Sequence, residues 1–204
     1  TYNVACAAKQ AGAKMVYVST NAVFDRLDNG PFRESDTPFA KSVYGKSKHM
    51  GELAVRGISD DYFIIRTSWI FGGGPKKDKK FVKKIIDQLG NSEIKAVNDQ
   101  FGSTTFAKDL VLEIKNLVAE DQKGIFHVVN KGECSRFSIA EEIARIAGSD
   151  SVISPVSASV FNSEAKIGIN DGLVLGVRNM RPWQEALREY LENEWLDANA
   201  LRQE

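Results

Sequence analysis

The chain has 204 residues, 43% of them hydrophobic, with 27 basic and 27 acidic side chains and a formal net charge of zero. This length supports one sizeable core or one domain with a smaller lobe, and the balanced charge favours neither a nucleic acid polymer nor an anionic membrane as partner. Cys6 and Cys134 make neither a disulfide framework nor a metal site, which favours a reducing cytoplasm, and no apolar run reaches the length of a membrane span.

Helix and strand signals alternate along the chain. Val4, Ala8 and Ala11 recur at helical spacing, and "KMVYVS" (14–19) is typical of a buried parallel strand. A helix is predicted over 42–57. Further strands are predicted at 62–71, 93–99 and 124–130, and further helices at 79–90, 106–120, 138–148 and 181–193.

The alternation predicts an α/β fold, with a parallel sheet covered by helices on both faces. In such sheets, ligands bind beyond the carboxyl ends of the strands. Thr20 and Asn21 follow the first predicted strand. Near the end of the next predicted strand lie Thr67, Ser68 and Trp69, so a ligand-binding or catalytic site is expected at these two places.

The stretch "SVYGKSK" (42–48) places Tyr44 and Lys48 four residues apart, on one face of the predicted helix. A free tyrosine has a pKa near ~10, and a neighbouring ammonium stabilises the phenolate and lowers that value. The phenol then exchanges protons with a carbonyl oxygen, which the Thr20 hydroxyl would polarise. By chance the spacing arises in roughly a third of such sequences, so an exposed tyrosine beside a solvated lysine is the alternative.

Six blocks give this pair a context: "VSTNAVFD", "PFRESDTP", "YGKSKHMGE", "IIRTSWIFG", "VNDQFGSTT" and "RPWQEAL". Together they resemble the dTDP-4-dehydrorhamnose reductase family of the extended short-chain dehydrogenase/reductases. The resemblance implies the C-terminal part of a Rossmann-like, doubly wound parallel sheet with a smaller α/β substrate-binding lobe. Residues 1–70 and 105–130 would belong to the cofactor domain, and residues 71–104 and 131–204 to the lobe.

The resemblance also implies a reaction, in which NADPH or NADH gives hydride to the C4 ketone of a dTDP-sugar, dTDP-4-dehydro-L-rhamnose. Tyr44 would protonate the ketone oxygen, Lys48 would tune Tyr44 and bind the nicotinamide ribose, and Thr20 would orient the ketone. The remaining implied contacts are Ser68 with the cofactor, and Asn21, Trp69, Asp99, Gln100 and Thr105 with the substrate. A homodimer is the implied assembly, and no metal is expected.

The match departs from the family pattern at three positions and in one motif. Asn21 replaces a carboxylate, Ala22 replaces an aromatic ring, and Thr104 stands where the family has proline. No Gly-x-x-Gly-x-x-Gly turn follows any predicted strand. Compared with the family, on the order of 80 residues of the dinucleotide fold are expected before Thr1, and the chain as written is expected to bind a dinucleotide poorly.

Two other functions fit parts of this pattern. A nucleotide-sugar epimerase or dehydratase of the same superfamily would use Tyr44 and Lys48 equally well, although Trp69 and "RPWQEAL" favour the reductase. A non-catalytic regulatory subunit would explain the changes at Asn21 and Ala22 and the missing glycine turn. The basic run "KKDKKFVKK" (76–84) is interpreted as a solvated loop and helix start rather than as a phosphate site.

Overall fold

A computed structural model describes residues 1–24, 30–161, 169–176 and 178–196. Asp25 of the first resemblance block, and residues 162–168, 177 and 197–204 of the predicted lobe, lie outside these ranges. The helices are α1 (Tyr2–Gln10), α2 (Val43–Ile58), α3 (Gly74–Lys77), α4 (Phe81–Ile86), α5 (Ala107–Ala119), α6 (Arg136–Ala147) and α7 (Trp183–Leu191). The strands are β1 (Met15–Thr20), β2 (Tyr62–Thr67), β3 (Ile70–Phe71), β4 (Glu93–Val97), β5 (Phe101–Ser103), β6 (Thr105–Phe106), β7 (Gly124–His127), β8 (Glu133–Ser135) and β9 (Val152–Val156).

The main sheet is parallel, with strand order β1-β2-β7. Its register pairs Thr20 with Thr67 and Arg66 with His127, so the carboxyl ends of the three strands meet at one edge. This edge is where the sequence places its candidate chemistry.

Alternate side chains of β2 pack on opposite faces of the sheet, as the pleat of a strand requires. Ile64 packs with residues of α1 and α2 on one face. Phe63 and Ile65 pack with Leu110 and Leu117 of α5 on the other. Helices therefore cover both faces, and the predicted α/β fold with a parallel sheet is confirmed.

A second core lies among α4, α6, α7 and the parallel pair β4–β9. Fully buried side chains from these helices form its centre: Ile143, Ala186, Leu187 and Tyr190. The short parallel pair β3–β6 joins this core to the end of the main sheet. The domain boundaries predicted from the sequence stay a prediction.

Several predicted elements, among them one strand and one helix beside the cleft, are shorter in the structure than the sequence indicated. The strand predicted over 62–71 stops at Thr67, because Trp69 has φ 36° and turns the chain before β3. The helix predicted over 79–90 begins only at Phe81, because the Asp78 carboxylate accepts from the Lys80 N–H in a turn just before it, and it ends at Ile86. In the described ranges, no helix combines the length and apolarity needed to cross a membrane.

A buried ion pair fastens α2 to β2. The Arg66 guanidinium donates from Nε to Glu52 Oε1 (3.0 Å) and from Nη2 to Glu52 Oε2 (2.8 Å), and both residues are 1% exposed. The Ser19 hydroxyl donates to Glu52 Oε1 at 2.5 Å. Since Glu52 lies two turns after Tyr44 on α2, this pair helps to fix the start of the helix against the carboxyl edge of the sheet.

Candidate active site

A cleft of about 260 Å³ opens beyond the carboxyl ends of β1 and β2. Five of the residues to which the resemblance gives a role line it: Thr20, Asn21, Tyr44, Ser68 and Trp69. The parallel register of β1 and β2 brings Thr20 and Asn21 close to Ser68 and Trp69, although more than 40 positions separate the two pairs in the chain.

Thr20 ends β1 and is 7% exposed. Its hydroxyl donates to Asn21 Oδ1 and accepts from the Ala22 N–H, both at 3.2 Å. These two bonds hold the hydroxyl at the floor of the cleft. The bond to Asn21 is long for an O–H donor, so it holds the hydroxyl hydrogen weakly.

Tyr44 lies in the first turn of α2 and is 58% exposed. The Ser42 hydroxyl caps this helix by accepting from the Gly45 N–H at 3.0 Å. Gly45 packs directly on the Ala22 carbonyl, where a methyl group would overlap it. The absence of a side chain at Gly45 therefore lets the start of α2 approach the end of β1, which brings Tyr44 to the cleft beside Thr20.

Lys48 lies one turn after Tyr44, as the spacing predicts. Its ammonium donates to the Val18 carbonyl at 2.6 Å and lies 4.4 Å from the centre of the Tyr17 ring. The cation is thus anchored on β1 beneath α2. Its predicted role of tuning Tyr44 stays a prediction.

Ser68 and Trp69 form the opposite wall. The Ser68 hydroxyl is buried and, among the described residues, has no hydrogen-bond partner. Trp69 has a positive φ, uncommon for a bulky residue, and the Thr104 hydroxyl holds its carbonyl at 2.9 Å. Thr105 is fully buried behind this wall, with its hydroxyl donating to the Ser68 carbonyl at 2.8 Å, and it supports the cleft without lining it.

Asp99 and Gln100 do not line the cleft in the part of the chain that the structure describes. The Asp99 carboxylate accepts from the Ala158 N–H at 2.9 Å. Its hydrogen bonds with the Ser157 side chain and with Ala158 lower the pKa of Asp99. The structure gives Asp99 a loop-bracing contact, and the predicted substrate contacts of both residues stay untested.

Sequence reasoning missed Asp171, which lies directly behind Asn21. Asn21 Nδ2 donates to Asp171 Oδ2 at 2.9 Å and to the Asp171 carbonyl at 3.2 Å. A carboxylate therefore stands one hydrogen bond from the position where the family carries one. No local motif marks Asp171, because 150 residues separate it from Asn21.

Burial raises the pKa of the Asp171 carboxyl to about 6, although the charge of Arg136 and the hydrogen bond from Asn21 oppose this shift. A raised pKa in the folded state means that this group favours folding most at low pH and loses that contribution as pH rises through 6.

Asp171→Asn is therefore expected to stabilise the protein by up to about 3 kcal/mol at pH 7.5, because the folded state no longer holds a buried carboxylate. The gain is expected to shrink as the pH falls through 6 towards 4. Urea unfolding of wild type and variant at several pH values measures it. A difference in unfolding free energy that does not vary with pH would contradict the burial argument.

Arg136 is the second residue that sequence reasoning missed. Its guanidinium carbon lies 3.8 Å from the centre of the Trp69 ring and 4.9 Å from that of Phe81, and it lines the cleft. Lys80, from the basic run, lines the same cleft. A guanidinium stacked on an aromatic ring has no fixed sequence spacing, so only the fold reveals it.

A doubly wound parallel sheet whose carboxyl edge carries a threonine and a Tyr-x-x-x-Lys helix defines a class, the extended short-chain dehydrogenase/reductases. Within it, the chain matches the family described as RmlD substrate binding domain over residues 1–195. The chain belongs to this family.

Relatives and solved structures agree with the assignment. The chain is 34% identical to the spore coat polysaccharide biosynthesis protein SpsK of Bacillus subtilis, over 94% of this chain and 68% of that protein. It is 30% identical to the dTDP-4-dehydrorhamnose reductase of Mycobacterium tuberculosis, over 91% of this chain and 64% of that protein. A crystal structure of dTDP-4-dehydrorhamnose reductase from Bacillus anthracis in complex with NADP is similar with a TM-score of 0.85 and 34% identity, over 94% of this chain and 69% of that one. The chain thus spans about two thirds of the length of these proteins.

Proposed function

We propose that the protein carrying this chain reduces the C4 ketone of dTDP-4-dehydro-L-rhamnose to give dTDP-L-rhamnose, with NADPH or NADH as the hydride donor. One observation carries the proposal: the Thr20 hydroxyl and the Tyr44 phenol line the same cleft at the carboxyl edge of the parallel sheet. The names of the relatives in Mycobacterium tuberculosis and Bacillus anthracis support the substrate. The NADP in the latter structure supports the cofactor class.

Tyr44 is the proposed general acid. Reduction of a ketone leaves negative charge on its oxygen, and a phenol within hydrogen-bond reach neutralises it by donating a proton. Lys48, one turn away on α2, stabilises the resulting phenolate by its positive charge. Its anchor on the Val18 carbonyl keeps the ammonium at the carboxyl end of β1.

Thr20 is the proposed orienting group. When a ketone occupies the cleft, its oxygen is a stronger competitor for the Thr20 hydroxyl hydrogen than the 3.2 Å contact with Asn21 Oδ1. Asn21 directs its Nδ2 group to Asp171, so Oδ1 is the atom it offers to a sugar hydroxyl. Trp69 supplies apolar surface for the sugar ring on the part of the indole that the Arg136 guanidinium does not cover.

A reduced nicotinamide, when bound, supplies the hydride. The cleft fits such a group in one respect, since Ser68 lines it and the buried Ser68 hydroxyl has no hydrogen-bond partner in the described ranges. Ser68, Tyr44 and Lys48 are the residues of this chain that would hold it. A homodimer and a cytoplasmic location stay predictions.

The test is an NADPH oxidation assay on the natural gene product that contains this chain. Absorbance at the nicotinamide band is expected to fall only when the 4-keto sugar nucleotide is added, and dTDP-L-rhamnose is expected to accumulate in equal amount. Binding of the sugar nucleotide without any NADPH oxidation would contradict the reductase and favour the regulatory subunit. Release of an epimer without net oxidation would favour the epimerase.

A further inference from the structure

Two cationic side chains from separate parts of the chain line the candidate active-site cleft. Lys80 directly precedes α4, and Arg136 is the first residue of α6. Among the cleft-lining residues that the structure describes, there is no aspartate or glutamate. The wall that carries Trp69 therefore bears positive charge without an acidic residue on the surface of the cleft.

Arg136 is held in place by aromatic rings rather than by a carboxylate. Its guanidinium carbon is 3.8 Å from the Trp69 ring centre, a distance at which the cation and the ring face attract each other. Asp171 acts on it only through its charge, and no hydrogen bond between Arg136 and a carboxylate is formed within the described ranges. Stacking leaves the N–H edge of the guanidinium available, and this planar fork matches the oxygens of a phosphate or carboxylate.

Burial adds a physical reason for an anion here. Removing the guanidinium from water disfavours its charged form and lowers the pKa of Arg136, and the charge of Asp171 opposes this effect. A partly buried charge without a hydrogen-bonded partner is costly, and a bound oxyanion offsets that cost.

Lys80 is held at its backbone. The Asp78 carboxylate accepts from the Lys80 N–H at 2.9 Å, and it also accepts from the Tyr190 hydroxyl at 2.9 Å. The ring centre of Phe81, the next residue, lies 4.9 Å from the guanidinium carbon of Arg136. Both cationic residues therefore lie next to Phe81, Lys80 along the chain and Arg136 through its contact with the ring, and all three line the cleft.

We propose that Arg136 and Lys80 form an oxyanion subsite that binds a negatively charged group of the sugar nucleotide. A nucleotide sugar carries such a group as its diphosphate, and some also carry a carboxylate on the sugar. The proposal rests on the proposed function for the presence of a sugar nucleotide. The proposal also divides the basic run 76–84, for which the sequence pattern predicts a solvated loop and helix start throughout. Lys80 lines the cleft, whereas Lys83 pairs with Asp87 on the surface.

Calorimetric titration of the purified natural protein with dTDP, thymidine and sodium glucuronate tests the subsite. Arg136→Gln is expected to weaken dTDP binding roughly 10- to 100-fold, the loss of one or two charged hydrogen bonds, and to leave thymidine binding unchanged. The affinity of Arg136→Lys for dTDP is expected to lie between those of wild type and Arg136→Gln, because lysine keeps the charge but lacks the planar guanidinium. Lys80→Gln is expected to give a smaller loss that disappears at high salt.

Arg145→Gln is the matched control, because Arg145 lies on the same helix but is exposed and pairs with Glu142. It is expected to change no affinity. Loss of glucuronate binding in Arg136→Gln, with dTDP binding retained, assigns the subsite to a sugar carboxylate. Equal affinities of wild type and Arg136→Gln for both anions would overturn the subsite, as would a wild-type protein that binds neither anion.

The two proposals fail separately. NADPH oxidation with the 4-keto sugar nucleotide, together with anion binding that is indifferent to Arg136, retains the reductase and removes the subsite. Anion binding that depends on Arg136 without any NADPH oxidation retains the subsite and removes the reductase.

Discussion

Tyr44→Phe is expected to lower kcat for ketone reduction roughly 10²- to 10⁴-fold, the usual contribution of a positioned general acid. The phenol lies in the cleft with Thr20, and phenylalanine keeps the ring but removes the only proton it can donate. KM for the sugar nucleotide is expected to change little, because Trp69 and the rest of the cleft remain. Steady-state kinetics of NADPH oxidation measure both constants.

Tyr2→Phe is the matched control for this variant. Tyr2 on α1 is 60% exposed, against 58% for Tyr44, and it does not line the cleft. Its kcat is expected to equal that of wild type. Turnover unaffected by Tyr44→Phe would show that another group protonates the ketone.

Glu52→Gln is expected to lower the free energy of unfolding by roughly 3–5 kcal/mol. The amide keeps the shape of the side chain but leaves the Arg66 guanidinium buried without its counter-charge. Because Glu52 belongs to α2, the loss is also expected to loosen the start of that helix and to lower activity. Urea unfolding followed by circular dichroism gives the free energy.

The double variant Glu52→Leu/Arg66→Met separates pairing from packing. It removes both charges, so it is expected to lose less stability than Glu52→Gln. Asp87→Asn, which breaks the exposed pair with Lys83, is expected to change the free energy by less than about 0.5 kcal/mol. Equal losses in the single and double variants would show that the pair matters through its volume rather than its charge.

The pH dependence of Glu52 follows from the same contacts. Burial alone would raise the pKa of Glu52, but the hydrogen bonds and charge of Arg66, with the Ser19 hydroxyl, hold it below its usual value of 4.5. A depressed pKa stabilises the folded state above pH 4.5, and that stabilisation is lost as the pH falls through the lowered value. The pair therefore contributes to acid unfolding, in the opposite direction to Asp171.

Some of the fold was predictable because its causes are local. Apolar periodicity indicated the strands β1 and β2 and the helices α2 and α5, since a buried strand and an amphipathic helix leave different spacings in a sequence. The limits of β2 and α4 were wrong by several residues. The positive φ of Trp69 breaks the strand at a position that apolar periodicity does not mark, and the bond from the Lys80 N–H to Asp78 is a local turn that delays the start of α4 without changing that periodicity.

The sequence by itself determined the α/β class, the family, and the chemical types at the candidate site: the hydroxyl of Thr20, the phenol of Tyr44 and the ring of Trp69. Residue type and chain order fix these features. Only the tertiary structure decided where Lys48 donates its hydrogen bond and that Asp171 and Arg136 stand behind and beside the cleft. Those contacts join residues far apart in the chain, and parallel register and side-chain packing bring them together only when the whole sheet and lobe have formed.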